Sequence, residues 1–193
     1  LAAEQARLLE RQHQLGDSVV GLSLSSTVLD CIRRGMDDEA EAFATDFGLK
    51  DKVYRKIQLR GLSARKAWGR IRDLASQQSV RSVLDDADFA DACIAGGQLE
   101  EAQRYARQLD DRHERKASLL LSLNLFEEAM EAAFLIGDTG ALEAVRKRKP
   151  ELQVAVQDRI EQLLKNGPRL RTRASGARDR PDILNAAKGC AQQ

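Results

Sequence analysis

The fold of this chain is decided by the stretch Cys31-Ile32-Arg33-Arg34-Gly35-Met36-Asp37-Asp38-Glu39-Ala40, because the same pattern returns twice. It recurs sixty-two residues later as Cys93-Ile94-Ala95-Gly96-Gly97-Gln98-Leu99-Glu100-Glu101-Ala102, and more loosely as Leu120-Leu121-Ser122-Leu123-Asn124-Leu125-Phe126-Glu127-Glu128-Ala129. In each copy an apolar helix end meets Gly or Asn, which supplies the left-handed residue that stops a helix. Acidic residues follow, and these favour the positive N-terminus of a new helix. The repeated unit is therefore a tight helix-turn-helix.

The spacing of the copies predicts the architecture. A period of about 30 residues built from paired helices is the signature of an α-solenoid. We therefore predict an all-α fold, an α-solenoid of about five antiparallel helix pairs stacked in a right-handed sense. The predicted domains are a helical-repeat domain over residues 1–166 and a basic, weakly structured tail over residues 167–193. Because repeat arrays of this kind present extended binding surfaces, protein binding is favoured over catalysis.

The composition separates a helical part from the tail. Charged residues make up 32% of the 193 residues and hydrophobic residues 42%, which is a balance typical of helical domains. No apolar run approaches the roughly 20 residues that a membrane span needs. From Lys165 onward there are seven Lys or Arg and two Asp, so a mildly acidic helical part precedes a basic tail. Since the sequence begins with Leu1 rather than Met, we expect a piece of a longer chain.

Residues that could carry chemistry have simpler structural interpretations. Two cysteines, Cys31 and Cys93, stand at equivalent apolar helix ends, and we expect both to be buried thiols in a reducing compartment. The histidines, His13 and His113, have no Cys at a zinc-ligand spacing. Paired carboxylates fall at predicted helix starts, where capping is favoured over acid-base catalysis. These pairs are Asp37-Asp38, Asp85-Asp86, Glu100-Glu101, Asp110-Asp111 and Glu127-Glu128. The sequence therefore predicts a protein that is not an enzyme, with no catalytic residues, no metal site and no cofactor.

A basic cluster lies around the helix that Asp51 is predicted to open. It comprises Lys50, Lys52, Arg55, Lys56, Arg60, Arg65 and Lys66. Two interpretations stay open, a solvated helix face and the basic rim of a protein interface. Nucleic-acid binding is less favoured, because the helical part is net acidic and its few aromatic residues do not alternate with the basic cluster. The nearby Trp68 is predicted to anchor the core or to pack between repeats.

A further set of positions carries a family resemblance. They are Gly21-Leu22-Ser23, Thr27, Cys31, Gly35, Ala40, Asp46-Phe47, Asp51-Lys52, Leu62 and Trp68, followed by Phe89 to Cys93 and Glu101 to Ala106. Through them the chain resembles the C-terminal domain of the vacuolar protein sorting-associated protein 16 family, over about residues 1–165. The family tends to have a basic residue and an aromatic run after Asp51-Lys52, where this chain has Val53-Tyr54-Arg55-Lys56. A B-type relative in animal endosomal sorting shares the domain, so the A-type and B-type assignments both stay open.

The resemblance implies a role in membrane traffic. Members are subunits of the HOPS and CORVET tethering complexes of endosomes, lysosomes and vacuoles, which support vesicle fusion and intracellular protein transport. The implied partners are the other tethering-complex subunits and an SM-family, SNARE-binding protein of the vacuolar protein sorting-associated protein 33 type. The implied location is cytoplasmic, peripheral on late endosome, lysosome or vacuole membranes through the complex.

The resemblance also implies where the SM protein docks. The family places this partner at the basic position after Asp51-Lys52, which predicts a partner-binding set of Leu49, Lys50, Lys52, Val53, Arg55 and Lys56. Val53 itself stands at the aligned basic position, so the charge contact either moves to Lys52 or Lys56 or is replaced by apolar packing. The alternative is a helical-repeat protein whose basic tail binds nucleic acid or acidic membrane. Binding to phosphates falls steeply with salt, and a packed apolar interface does not, so salt separates the two functions.

Overall fold

The computed structural model describes residues 2–166 of the chain, and α-helices account for most of that part. The described residues contain twelve α-helices and no strand, which confirms the all-α prediction. Single 3-10 turns lie at Asp17–Val19 and Pro150–Leu152. The predicted basic tail lies outside the described residues. The helices are α1 (Ala2–Leu15), α2 (Leu24–Arg34), α3 (Asp37–Asp46), α4 (Asp51–Ala64), α5 (Trp68–Ser76), α6 (Gln78–Arg81), α7 (Asp86–Ala95), α8 (Leu99–Gln108), α9 (Lys116–Ser122), α10 (Phe126–Ile136), α11 (Thr139–Arg148) and α12 (Gln153–Asn166).

Neighbouring helices pack as pairs that follow one another along the chain. The pairs in contact are α2 with α3, α4 with α5, α7 with α8, α9 with α10, and α11 with α12. The first helices of successive pairs also touch, α2 against α4, α4 against α7, and α7 against α9. The buried apolar residues of these helices form one continuous hydrophobic cluster. The regular period of about 30 residues and the right-handed sense stay predictions.

The repeated stretch ends its first helix in the same way in all three copies. Gly35, Gly97 and Asn124 have φ angles of 86°, 82° and 60°, in the left-handed region. A backbone hydrogen bond of 2.9 Å closes each turn, from the Met36 N–H to the Cys31 carbonyl, from Gln98 to Cys93, and from Leu125 to Leu120. This is the six-to-one bond of the Schellman motif. The predicted stop residues are therefore confirmed.

The two equivalent cysteines are core residues. Cys31 is 1% exposed and Cys93 is 0% exposed, and both are free thiols. Burial raises the pKa of the Cys31 thiol and raises that of Cys93 to about 11. Because the thiolate is the reactive form, these thiols are unreactive at neutral pH. The prediction of buried, structural cysteines is confirmed.

The paired carboxylates stand at helix starts in four of the five predicted places. The pairs at residues 37–38, 100–101 and 127–128 lie in the first turns of α3, α8 and α10. Asp85 caps α7 by accepting the Asp88 N–H at 2.9 Å. The prediction for Asp110-Asp111 is wrong, because this pair lies in the loop before α9. There Asp110 accepts the Arg112 N–H at 2.9 Å, the local bond with which aspartate shapes a turn.

The buried side-chain amide of Gln12 joins α1 to the segment that leads into α2. Gln12 is 0% exposed, and its Nε2 donates to the Leu22 carbonyl at 2.8 Å and to Thr27 Oγ1 at 2.6 Å. Its Oε1 accepts the Gly21 N–H at 2.9 Å. All three partners are positions that carried the family resemblance. The positions around residue 21 that carry the resemblance therefore form hydrogen bonds that join α1 to the start of α2.

Two successive helix pairs are in tight contact at Gly96. The Ser63 Oγ donates to the Ala92 carbonyl at 2.6 Å, which draws the end of α4 against α7. A Cβ at Gly96 would lie 2.1 Å from the Trp68 ring and 2.6 Å from Ser63 Oγ. Trp68 thus packs against the turn of the following pair, as predicted for an anchor between repeats.

We expect Gly96→Ala to destabilise the chain by about 1–3 kcal/mol, since a methyl group there overlaps a packed indole ring. The φ angle of Gly96 is −94°, so the effect comes from crowding and not from backbone strain. Gly69→Ala is the matched control, because a Cβ at that helical position meets nothing within 4 Å. It should stabilise α5 by about 0.5–1 kcal/mol. Urea unfolding of both variants measures this, and equal midpoints would contradict it.

Candidate protein-binding surface

The six residues predicted to bind a partner lie together at the junction between α3 and α4. Gly48 adopts a φ of 62°, and the Leu49 N–H bonds the Ala44 carbonyl at 2.8 Å, which ends α3. Lys50 follows, and α4 begins at Asp51. The remaining four predicted residues lie on the first two turns of α4. Local turn chemistry is thus enough to bring the whole set onto one edge of the fold.

Four of the six residues are exposed, and among them only Lys56 is held in an ion pair. Val53 is 40% exposed and is one of several large apolar side chains that the described part of the chain leaves accessible. Lys50 and Lys52 are exposed, and neither has a carboxylate partner among residues 2–166. We name Lys50, Lys52 and Val53 the α4 patch. An exposed apolar side chain between two unpaired cations is what a partner with an apolar, acidic surface would fit.

Leu49 and Arg55 lie beside this patch and are less exposed than its three residues. Leu49 is half-buried against the core. The Arg55 guanidinium lies 3.2 Å from Asp51 Oδ1, donates to Gln58 Oε1 at 3.0 Å, and sits 5.3 Å from the Tyr54 ring centre. A hollow of about 130 Å³ between α3 and α4 is lined by both residues. Arg55 is therefore fixed by its own helix and is less available to a partner than Lys50 or Lys52.

Lys56 serves an internal ion network. Its Nζ lies 2.9 Å from Asp88 Oδ1 on α7, and Arg115 Nη1 approaches the same oxygen to 3.1 Å. Arg115 also pairs with Asp91. Burial alone would raise the pKa of Asp88, but hydrogen bonds from Lys56 and Arg115 outweigh it and lower that pKa below its usual value. Lys56 therefore links α4 to α7, and only its exposed flank is free to meet a partner.

The network borders a groove that the sequence did not predict. The groove has a volume of about 360 Å³ and lies over Leu59 and Ala95, with Arg60 and Asp91 at its edges. The groove is formed by α4, α7 and the residue before α9, and even its ion-paired residues Asp91 and Arg115 are 24 positions apart along the chain, so no local motif reveals it. The available signal was the spacing of Asp85, Asp88 and Asp91, because residues three apart share one face of a helix.

Two further properties of the described part of the chain concern metal ions and membranes. Within residues 2–166, no group of three or more His, Cys, Asp or Glu is placed to hold a metal ion. In the same part of the chain, none of the helices combines the length and apolar character that a bilayer crossing requires. The packed helix pairs define an all-α protein built as an array of helices.

Comparison with known proteins gives the family. The chain belongs to the family described as Vps16, C-terminal region, whose sequence model matches residues 1–165. It is 27% identical over 153 residues to the vacuolar protein sorting-associated protein 16 homolog of Drosophila melanogaster, covering 77% of this chain and 18% of that protein. It is 29% identical over 164 residues to protein VACUOLELESS1 of Arabidopsis thaliana, covering 82% of this chain and 19% of that protein. The chain thus spans about a fifth of the length of the curated relatives it matches.

Proposed function

We propose that this chain is a non-catalytic scaffold arm of an endosomal, lysosomal or vacuolar tethering complex of the HOPS or CORVET type. In this role it docks an SM-family, SNARE-binding protein and supports vesicle fusion. The family match over residues 1–165 supports the complex, and so do the relatives named vacuolar protein sorting-associated protein 16 homolog. The proposed location is cytoplasmic, peripheral on late endosome, lysosome or vacuole membranes through the other subunits.

The α4 patch is the observation that carries the docking proposal. Val53 is 40% exposed beside two lysines without internal partners. A protein interface typically has an apolar centre with a charged rim, and the patch reproduces that arrangement on a small scale. The position also agrees with the place where the family resemblance puts the SM partner.

Electrostatics indicates the sign of the partner's surface. Lys56 and Arg115 are neutralised by aspartates of α7, whereas Lys50 and Lys52 remain unpaired within the described residues. Unpaired charges at a rim act mainly on the rate of association. We therefore propose that the SM protein brings acidic side chains to Lys50 and Lys52 and an apolar side chain to Val53.

A salt titration of partner capture tests this function. The SM protein of the vacuolar protein sorting-associated protein 33 type is immobilised, and the association rate of this chain is measured at low and high salt. Lys52→Glu should slow association roughly tenfold at low salt and much less at high salt, because exposed charges are screened. Lys147→Glu is the control, since Lys147 is exposed on α11 without a described ion partner.

Two results would count against the proposal. One is a wild-type chain that does not bind the SM protein at any salt concentration. The other is equal slowing by Lys52→Glu and Lys147→Glu, which would indicate a general effect of net charge. If the chain instead binds DNA or anionic vesicles with a steep salt dependence, the alternative function of the basic tail gains support.

A further inference from the structure

The groove between α4 and α7 adjoins the α4 patch, because both lie along the exposed face of α4. Val53, Lys56 and Arg60 are spaced three and four residues apart, so they share one stripe of that helix. All three are exposed. Arg60 lies two turns beyond Val53, a rise of about 10 Å, so a single segment of a partner can contact both. We name the groove, with Leu59 and Ala92 in its lining, the α4–α7 groove.

Most of the charge in the α4–α7 groove is neutralised by the ion network. Lys56 and Arg115 both bind Asp88, and Arg115 also pairs with Asp91, so these four charges cancel. Arg60 is the remaining charged residue of the lining. It is exposed and has no carboxylate partner among residues 2–166. A ligand that enters the groove from the α4 side therefore meets one free cation.

The acidic and basic side chains lie on opposite sides of this groove. The acidic side is α7, where the N-cap Asp85 lies 3.4 Å from His113 and 3.8 Å from Arg115. On α4 the one acidic residue is Asp51, which pairs with Arg55. The cations without a partner within the described residues therefore follow one another along the α4 edge, and they are Lys50, Lys52 and Arg60.

We propose that the SM protein docks along the whole exposed face of α4, through one acidic amphipathic helix that reaches into the α4–α7 groove. This inference rests on the proposed function and adds two contact residues, Arg60 and Ala95. A helix that binds in a groove is held by anchors spaced three or four residues apart. One apolar anchor would cover Val53, a second would enter the groove beside the exposed Ala95, and a carboxylate would meet Arg60.

The apolar surface on this edge favours a protein over a ligand that offers phosphates. Non-specific binding of nucleic acid depends almost entirely on charge. Val53, in contrast, is 40% exposed on the same stripe as Arg60, and Leu59 and Ala92 line the groove beside it. An apolar stretch flanked by unpaired cations matches the apolar centre and charged rim of a protein interface.

Capture of the full chain by the immobilised SM protein tests the contact at Arg60. Arg60→Glu should weaken binding roughly tenfold at low salt, because it places a like charge opposite the partner's carboxylate. Arg60→Lys keeps the charge and should stay within about threefold of the original chain. Lys147→Glu makes the same change in net charge on α11 and should stay within about twofold. Equal losses for Arg60→Glu and Lys147→Glu would overturn the proposal.

Filling the groove tests whether the partner occupies it. Ala95→Phe places a ring in a space of about 360 Å³ and should weaken capture roughly tenfold. Ala155→Phe is the matched control, because Ala155 is an exposed alanine on α12. Thermal unfolding of each variant checks that it is folded. An affinity of Ala95→Phe that is unchanged or raised would overturn the occupation of the groove.

The outcomes distinguish this inference from the proposed function. If the original chain does not bind the SM protein, the proposed function fails and this inference fails with it. If Val53→Asp abolishes capture while Arg60→Glu and Ala95→Phe bind like the original chain, only the extended surface is wrong. Vesicles of anionic phospholipid are a further probe. Vesicle binding that Arg60→Glu removes would overturn the proposal, since it would assign this edge of α4 to a lipid surface.

Discussion

Gln12→Leu is expected to release α1 from the rest of the chain. The Gln12 amide is completely buried, and it satisfies the Gly21 N–H, the Leu22 carbonyl and the Thr27 hydroxyl. Leucine fills the same space but leaves these polar groups without their partner. A buried polar group left unsatisfied costs about 1–3 kcal/mol. Residues 21 and 22 are themselves exposed, so water partly replaces the lost bonds to their backbone groups. The total loss should therefore be about 2–3 kcal/mol.

The loss should be local, because α1 has few other attachments. Arg7 stacks on Phe47 at 5.0 Å and donates to the Asp46 carbonyl at 2.7 Å, and Arg11 stacks on Phe43 at 5.4 Å and lies 3.3 Å from Asp46. Leu8 and Leu15 add half-buried apolar contacts with the core. These contacts are partly exposed and contribute little compared with core packing. Segments with few buried contacts open independently of the rest of a protein.

Hydrogen exchange resolved along the chain measures this effect. In Gln12→Leu, the amides of α1 should exchange faster by roughly two orders of magnitude, while those of α7 to α10 keep their protection. Gln14→Leu is the control, because Gln14 lies on the same helix and is exposed. Loss of protection across the whole chain, or equal behaviour of the two variants, would contradict this local role of Gln12.

The sequence predicted those parts of the fold that short-range chemistry determines. The stop at Gly35, Gly97 and Asn124 depends on a left-handed residue and one backbone bond, all within six positions. The acidic first turns of α3, α8 and α10 follow from the helix dipole. The burial of Cys31 and Cys93 then follows from their place at the ends of these helices.

The features that the sequence predicted wrongly or missed depend on side-chain contacts that join separate elements of the fold. The aspartates at 110 and 111 look like another helix start, but Asp111 pairs with Lys116, which is nine-tenths buried and also donates to the Leu109 carbonyl at 2.8 Å. Lys116 therefore binds two residues of the loop, and α9 begins only at Lys116. The pair between Lys56 and Asp88 joins residues on different helix pairs. Only packing brings them together, so the sequence could identify a basic cluster without showing which of its members are neutralised.

The α4 patch was predicted from a family position, and the structure adds which of its residues are available. The sequence presented six residues as equivalent. The fold leaves Lys50, Lys52 and Val53 exposed and unpaired, and it fixes Arg55 on its own helix. Lys56 is also exposed, but its ammonium group pairs with Asp88. We expect these exposed, unpaired residues to contact the partner, because an interface forms on surface that is accessible in the free protein.

Val53→Asp is expected to abolish capture of the SM protein without unfolding the chain. If Val53 lies at the apolar centre of the interface, an aspartate there would be buried without a partner. An uncompensated buried charge costs about 3–5 kcal/mol, which weakens binding on the order of a hundredfold or more. The free chain should tolerate the change, because residue 53 is 40% exposed and lies in the first turn of α4, where a negative charge is favoured by the helix dipole.

Val154→Asp on α12 is the matched control, since Val154 is 74% exposed at the other end of the described chain. Capture of the SM protein by each variant is measured beside its thermal unfolding. Val53→Asp should bind at least two orders of magnitude more weakly than Val154→Asp, with melting temperatures within a few degrees of each other. If Val53→Asp binds like the original chain while Val154→Asp does not, the partner docks on the C-terminal helices. The exposed valine on α4 would then be an ordinary surface residue, and the two unpaired lysines beside it would be a solvated helix face.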